Sequence, residues 1–376
     1  IMKWKSNILN LKAYQPGRSI EEVKKEYGLQ SITKLASNEN PYGYSSKVLP
    51  AIQNHAANFA LYPEGSASAL KNALSNHYNI QKNQFLVGNG SDEIICIISR
   101  SLLRPGTNTV MASPTFSQYK HNAIVENAEY REIPLKNGSH DLEAMLEAID
   151  EQTTIVWLCT PNNPSGVYIP ENELIAFLDA VPQEVLVVLD EAYREYVTAK
   201  DYPNSHELLK KYSNIIILQT FSKIYGLASF RIGYAIAHSE IIARLEPVRE
   251  PFNVNTLAQC VAIAALDDQD FVEECREKNR LGLQQFYDFC EEEELDYYPS
   301  QGNFILIDFK MNGDDVFFHL MSKGYIVRSG VALGFPTAIR VTVGTKEQNQ
   351  GIITEMKALL DVNKMNCYYY AEVDVI

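Results

Sequence analysis

The chain predicts an α/β fold, a large doubly wound domain followed by a smaller α+β region. Three observations carry this expectation. Thr154–Cys159, Val185–Leu189 and Asn214–Leu218 are strand-length, largely apolar runs of the kind buried on both faces of a parallel sheet. Stretches with helical spacing alternate with such runs between about Asn38 and Leu266. From about Asp267 the texture changes to a long charged helix and shorter strands. A length of 376 residues suffices for one large or two medium cores.

In chain order, Ser91–Leu103 reads as a helix. Ser91 caps it, Asp92 and Glu93 fill its first turn, and Ile94, Ile95, Ile97, Ile98 and Leu102 fill its interior. Thr109–Ala112, Thr154–Cys159, Val185–Leu189, Asn214–Leu218 and Arg231–Ala237 read as strands. Phe271–Glu294 reads as a helix with Phe271, Val272, Cys275, Leu281, Leu283, Phe286, Phe289 and Cys290 on its apolar side. Strands follow at Phe304–Phe309, Tyr325–Arg328 and Ile339–Val343, with a helix at Val316–Lys323. The tail Asn363–Ile376, with three successive tyrosines from Tyr368, is expected as a packed or disordered terminus.

The chemistry gathers where the buried strands end. The first is followed by Thr160-Pro161-Asn162-Asn163-Pro164-Ser165-Gly166 and the second by Asp190-Glu191-Ala192-Tyr193. The third is followed by Gln219 and then Thr220-Phe221-Ser222-Lys223, with Arg231 eight positions beyond the lysine. Taken singly these are ordinary: an Asp that caps a helix, a turn, a solvated lysine. Together they form a pattern, because open α/β sheets hold ligands outside the carboxyl ends of their strands. A lysine beside hydroxyls and an arginine suits an amine nucleophile held next to an anionic cofactor.

Composition narrows the classes. Hydrophobic content of 46% and charged content of 21% are ordinary for a globular protein, and no apolar stretch approaches the length of a bilayer span. The first residues carry no apolar core of a secretory signal, so a cytoplasmic location is expected. Six cysteines without a CxxC pair predict reduced thiols and no zinc. A net charge of −14 without a basic stripe argues against nucleic acid. Anionic ligands must then be held by a local cluster of arginine, lysine and backbone amides.

At the strand-end residues the chain resembles the fold-type-I pyridoxal-phosphate enzymes, the aspartate aminotransferase superfamily. Within it the chain is most similar to the histidinol-phosphate aminotransferases, through Lys34–Pro41 (KLASNENP), Tyr62-Pro63-Glu64, Gly88–Glu93 (GNGSDE) and Arg340–Thr345 (RVTVGT). The resemblance runs from about Tyr14 to about Leu360. It implies a mostly parallel seven-stranded sheet in a large domain at 38–266, and a small domain made of 1–37 and 267–376. It implies pyridoxal 5′-phosphate bound to Lys223 as a Schiff base, with Asp190 on the pyridine nitrogen and Tyr193 and Asn163 on the phenolic oxygen. It implies a phosphate cradle of Gly90, Ser91, Asp92, Thr220, Ser222 and Arg231. Phe116 stands where the family often has a stacking tyrosine, with Tyr119 a weaker candidate. Tyr62 matches a residue that reaches the neighbouring subunit's cofactor, so a homodimer with a composite site is implied. Arg340 matches the arginine for the substrate carboxylate, Arg328 is the second cation, and Tyr14 and Asn38 close over the substrate. The implied substrates are histidinol phosphate and glutamate or 2-oxoglutarate. The motifs are shared with aromatic-amino-acid aminotransferases and with a decarboxylase acting on threonine phosphate.

Overall fold

The computed structural model describes residues 2–55 and 59–373, with side chains to residue 364. Seven strands make the central sheet: β1 (Phe85–Gly88), β2 (Asn108–Ser113), β3 (Glu129–Pro134), β4 (Thr153–Cys159), β5 (Leu186–Asp190), β6 (Ile215–Thr220) and β7 (Gly233–Ala237). Their spatial order is β1-β7-β6-β5-β4-β2-β3. β7 runs antiparallel to both neighbours, and the other pairings are parallel. Side chains alternate across the sheet into two cores. Val156, Val187 and Ile217 enter one, and Trp157, Val188 and Ile216 enter the other.

The five strands expected from hydrophobic runs are all present. β1 and β3 were not expected, for different reasons. β1 is only four residues long, and β3 is an edge strand without a single buried residue, so its charged sequence shows no apolar run. Two strand ends also shift. Arg231 lies outside β7 because its backbone is left-handed, at φ 55°. Asp190 and Thr220 are the last residues of their strands, not loop residues.

The helix after β1 is Gly90–Leu102, one residue earlier than expected, and Ser91 does not cap it. Asn89 stands at the cap, and its amide donates to Glu93 Oε2 at 2.6 Å. This frees the Ser91 side chain. The helix start lies close against β7. A Cβ on Gly233 would come 2.7 Å from the Ser91 nitrogen, so glycine is what allows that approach.

A second, antiparallel sheet contains β8 (Asp296–Tyr297), β9 (Phe304–Asp308), β10 (Arg328–Ser329) and β11 (Ala338–Thr342), ordered β10-β11-β9-β8. It packs with the helices Gln269–Glu292, Gly313–Ser322 and Lys346–Val373 around its own core, which includes Phe286, Ile307, Val341 and Ile352. Leu281, expected on the apolar side of the first of these helices, proves exposed. The expected strand Tyr325–Arg328 is split. Tyr325–Ile326 pairs with Thr33–Lys34, while Arg328 moves into the second sheet. The Thr33 amide donates to the Gly324 carbonyl, and the Thr342 amide to the Leu35 carbonyl, so the N-terminal segment is sewn to the C-terminal part. The last helix continues through the tyrosine-rich stretch to Val373, where a packed or disordered terminus had been expected. Residues 374–376 lie outside the described residues. No helix among the described residues is long and apolar enough to cross a membrane.

Candidate active site

Because β1, β2, β4, β5 and β6 are parallel, their carboxyl ends share one edge of the sheet, and antiparallel β7 brings its amino end there. A cavity of about 470 Å³ opens on this edge. Every residue expected at the site lines it except Gly90, Tyr62 and the weaker candidate Tyr119. Residues nearly 330 positions apart, from Tyr14 to Arg340, thus meet in one place.

One end of the cavity is built for an anion. The start of the Gly90–Leu102 helix faces it without a side-chain cap, leaving first-turn amides and the positive dipole end available. Arg231 Nη1 donates to Ser222 Oγ at 3.3 Å, and Nη2 pairs with Asp92 at 3.3 Å. The Ser222 amide donates to Thr220 Oγ1 at 3.0 Å, which ties the two hydroxyl residues into one turn. Gly90 does not line the cavity, yet it shapes this end. At φ 72° it has no strain, and a Cβ there would stand 2.7 Å from Arg231 Nη2.

Asp190 also lines the cavity. Its Oδ2 accepts a 2.5 Å hydrogen bond from Tyr119 Oη, while Oδ1 is buried without a protein partner. Burial raises its carboxyl to about 6, against the opposing pull of the Tyr119 hydrogen bond. An orphaned buried carboxylate oxygen is costly unless a donor arrives. Tyr119 is therefore not a stacking residue. It is fully buried, stacked on Trp157 at 4.7 Å between centroids, behind the cavity wall. Phe116 does line the cavity, and its ring meets that of Tyr119 edge-on at 5.7 Å.

Lys223 lines the same cavity. Its ammonium lies 5.6 Å from the centre of the Tyr193 ring, with a 3.4 Å hydrogen bond to the Ser37 carbonyl. Burial first, then the Arg340 charge, lowers the amine to about 8. Near neutral pH a larger share of this amine is therefore neutral than in an ordinary lysine. Tyr193 is buried, which raises its phenol, and its oxygen accepts from Asn38 Nδ2 at 2.9 Å. Asn38 is itself fixed by a reciprocal pair with Thr342, each bond 2.9 Å.

The remaining wall is cationic. Arg340 is 6% exposed, and it donates to Asn163 Oδ1 at 2.6 Å and to the Ala36 carbonyl at 2.7 Å. Its Nε is buried without a partner. Arg328 lies directly opposite Arg340 in the β10–β11 register, and it donates to the Gln15 carbonyl at 3.3 Å. Neither arginine pairs with a carboxylate among the described residues. Like charges facing each other across a ladder repel, so this arrangement calls for an anion. A second cavity of about 590 Å³ shares Tyr14, Phe116, Asn163 and both arginines and extends under residues 11–15.

Tyr62 stands apart. It is 81% exposed, stacks on Phe252 at 4.8 Å and does not reach this chain's own cavity. Sequence reasoning passed over Ser37, Glu39, Gln118, Cys159 and Ala192, all on the cavity wall. Ser37 and Glu39 lie inside the Lys34–Pro41 motif, and Cys159 and Ala192 adjoin recognised strand ends. Each was within reach of the same reading. Among the described residues no group of three His, Cys, Asp or Glu side chains is placed to hold a metal.

The family described as aminotransferase class I and II matches residues 30–355. The histidinol-phosphate aminotransferase of Anoxybacillus flavithermus is 58% identical over 359 residues, covering 96% of this chain and 97% of that protein. The enzyme of the same name from Bacillus subtilis strain 168 is 58% identical over 360 residues, covering 96% of this chain and all of that one. The crystal structure of histidinol-phosphate aminotransferase from Sinorhizobium meliloti, in complex with pyridoxal-5′-phosphate, superimposes with a TM-score of 0.86 at 26% identity, covering 96% of this chain and 99% of that one. Thermus thermophilus aspartate aminotransferase shares the fold, at a TM-score of 0.82 and 18% identity. With a fold-type-I architecture and near full-length similarity at this level, the chain belongs to the class I and II aminotransferases, in their histidinol-phosphate aminotransferase family.

Proposed function

We propose that this protein transfers an amino group from L-histidinol phosphate to 2-oxoglutarate, giving imidazole acetol phosphate and L-glutamate, in histidine biosynthesis. The observation that carries this reading is the opposed Arg328–Arg340 pair, without carboxylate partners among the described residues, in a cavity that also holds a depressed-pKa lysine. The 58% identity to enzymes of that name favours it over the aromatic-amino-acid and threonine-phosphate alternatives. Single-turnover rates with histidinol phosphate, tyrosine and threonine phosphate test the choice, and histidinol phosphate is expected to react fastest.

The cofactor is pyridoxal 5′-phosphate. The residues present fit it: Ser91, Asp92, Thr220, Ser222 and Arg231 around the helix start for a phosphate, and the unpartnered Asp190 Oδ1 for a ring N–H. When bound, this group supplies an aldehyde that takes up the substrate nitrogen and a ring that draws electron density from the substrate Cα. Asp190 would accept the ring N–H through Oδ1. Tyr193 and Asn163 supply polar groups for the phenolic oxygen, and Phe116 covers a ring face. Lys223 Nζ would hold the aldehyde carbon of the bound group, and as a free amine it would carry the proton to and from substrate Cα. An amine with a pKa of about 8 suits both tasks. Loading of cofactor-free protein should therefore accelerate with rising pH, with a midpoint near 8, because the neutral amine is the reacting form. Visible absorbance followed between about pH 6 and 10 checks this, and a midpoint in the ordinary lysine range would refute the lowered pKa.

Histidinol phosphate carries a phosphate ester and no α-carboxylate, whereas glutamate carries carboxylates. A guanidinium fork grips either anion, so Arg340 with Arg328 serves both halves of a ping-pong cycle, with Tyr14 and Asn38 closing over the substrate. Arg340→Lys should weaken both half-reactions by about 10- to 100-fold, since a point charge cannot reproduce bidentate contacts. Half-reactions run separately with each donor are the check. A loss confined to glutamate would transfer the phosphate to Arg328 alone.

The working unit we infer is a homodimer in which Tyr62 of one subunit completes the other's cavity, supported by the exposure of Tyr62 and Phe252. Residues 38–266 form the cofactor domain, and 1–37 with 267–376 the small domain, supported by the bonds joining Thr33 and Leu35 to the C-terminal part. The unpaired buried thiols of Cys159, Cys275 and Cys290 support a cytoplasmic location.

A further inference from the structure

We propose that Tyr119 is a positioning residue for the reaction, fixing the Asp190 carboxylate so that one oxygen is spent within the protein and the other is presented to the cavity. This rests on the reading of Asp190 as the partner of the cofactor ring nitrogen. The geometry is unusually constrained. Tyr119 Oη donates to Asp190 Oδ2 at 2.5 Å, both residues are buried, and Oδ1 has no protein partner. The tyrosine cannot drift. Its ring stacks on Trp157 with a 12° interplanar angle, and the Trp157 indole N–H donates to Thr109 Oγ1 at 2.8 Å. Thr109 in turn donates to the Ile155 carbonyl at 2.8 Å, which ties the chain of contacts into β4. Tyr119 also meets the Phe116 ring edge-on, so one side chain braces two walls of the cavity.

The chemical consequence concerns where a proton rests. A phenol that donates to a carboxylate stabilises its charge and lowers its affinity for a further proton. A proton shared between Asp190 Oδ1 and a ring nitrogen then stays on the ring, which is the state that draws electrons. The backbone amide of Ala192 also favours the charged carboxylate, but no other side chain around Asp190 supplies this. Asp92 and Glu191 face it with like charge and favour its protonation, and the Cys159 thiol and Tyr193 phenol are buried and neutral. Among these neighbours, Tyr119 is the side chain that favours the carboxylate.

Tyr119→Phe keeps the ring on Trp157 and Phe116 and removes only the hydroxyl. The test loads the full-length holoenzyme with pyridoxal phosphate carrying nitrogen-15 in its ring and records the nitrogen resonance in wild type, Tyr119→Phe, Asp190→Asn and the double variant. The Tyr119→Phe resonance is expected to move partway from the wild-type position towards that of Asp190→Asn. Its kcat should fall about tenfold with histidinol phosphate and with glutamate, the KM values staying within about twofold. In the Asp190→Asn background the same change should cost less than about twofold, because its route of action is already gone. A Tyr119→Phe resonance identical to wild type, with Asp190→Asn displaced, would overturn the role of Tyr119. So would an undiminished loss in the double variant. Wild type and Asp190→Asn sharing one resonance would instead overturn the reading of Asp190 itself.

Discussion

Lys223→Ala should abolish transamination and leave the fold in place. The amine both anchors the cofactor and moves the proton at substrate Cα, and general acid–base work alone is worth roughly 10²–10⁴ in rate. Little structure depends on it, since its one hydrogen bond is the 3.4 Å contact to the Ser37 carbonyl. Its charge works against the cofactor-free fold. An amine lowered to about 8 by burial destabilises the folded state at every pH below that value, and the cost fades as pH rises toward the ordinary lysine range. The alanine variant without cofactor should therefore melt no lower than wild type at pH 7. Turnover assays with both substrates, together with thermal melts, are the measurements. Near wild-type turnover would end the assignment of Lys223, and collapse of the melt would show a structural role instead.

Asp190→Asn has the second-largest expected effect. An amide in this place keeps one acceptor for the Tyr119 hydroxyl and then turns an N–H into the cavity, where the carboxylate offered a lone pair. A ring proton then has no acceptor, and the electron-drawing state is lost. Removal of one such preorganised electrostatic partner costs roughly 10²–10³ in kcat. Cofactor should still bind through the phosphate cradle, so visible absorbance persists while proton abstraction slows. Asp190→Glu should retain more activity than Asn because it keeps the charge. Equal activity in the two variants would remove Asp190 from the mechanism.

Much of the site was legible because a parallel sheet converts order along the chain into proximity. Asn163, Asp190 and Lys223 each follow or end a buried apolar run, and strands pointing the same way must deliver those ends to one edge, where Arg231 arrives from the amino end of antiparallel β7. Apolar runs are local, so β2, β4, β5, β6 and β7 could be located to within two residues at each end. β3 escaped because an exposed edge strand needs no apolar run, and the Gly90–Leu102 helix began early because Glu93, not Ser91, engages its cap.

The roles that stayed hidden are those set by pairing between distant elements. Tyr119 and Asp190 are 71 positions apart, and each reads locally as a core aromatic and a strand-end acid. Nothing in either neighbourhood encodes the 2.5 Å bond, because it depends on which strand lies beside which. The Arg328–Arg340 opposition likewise follows from the register of β10 on β11, after a strand that looks continuous divides between two sheets. The sequence by itself determined which chemical groups stand at the strand ends, since burial and periodicity are written residue by residue. The tertiary structure alone decided which oxygen, amine and guanidinium face one another, since sheet order and register depend on contacts that no local pattern records.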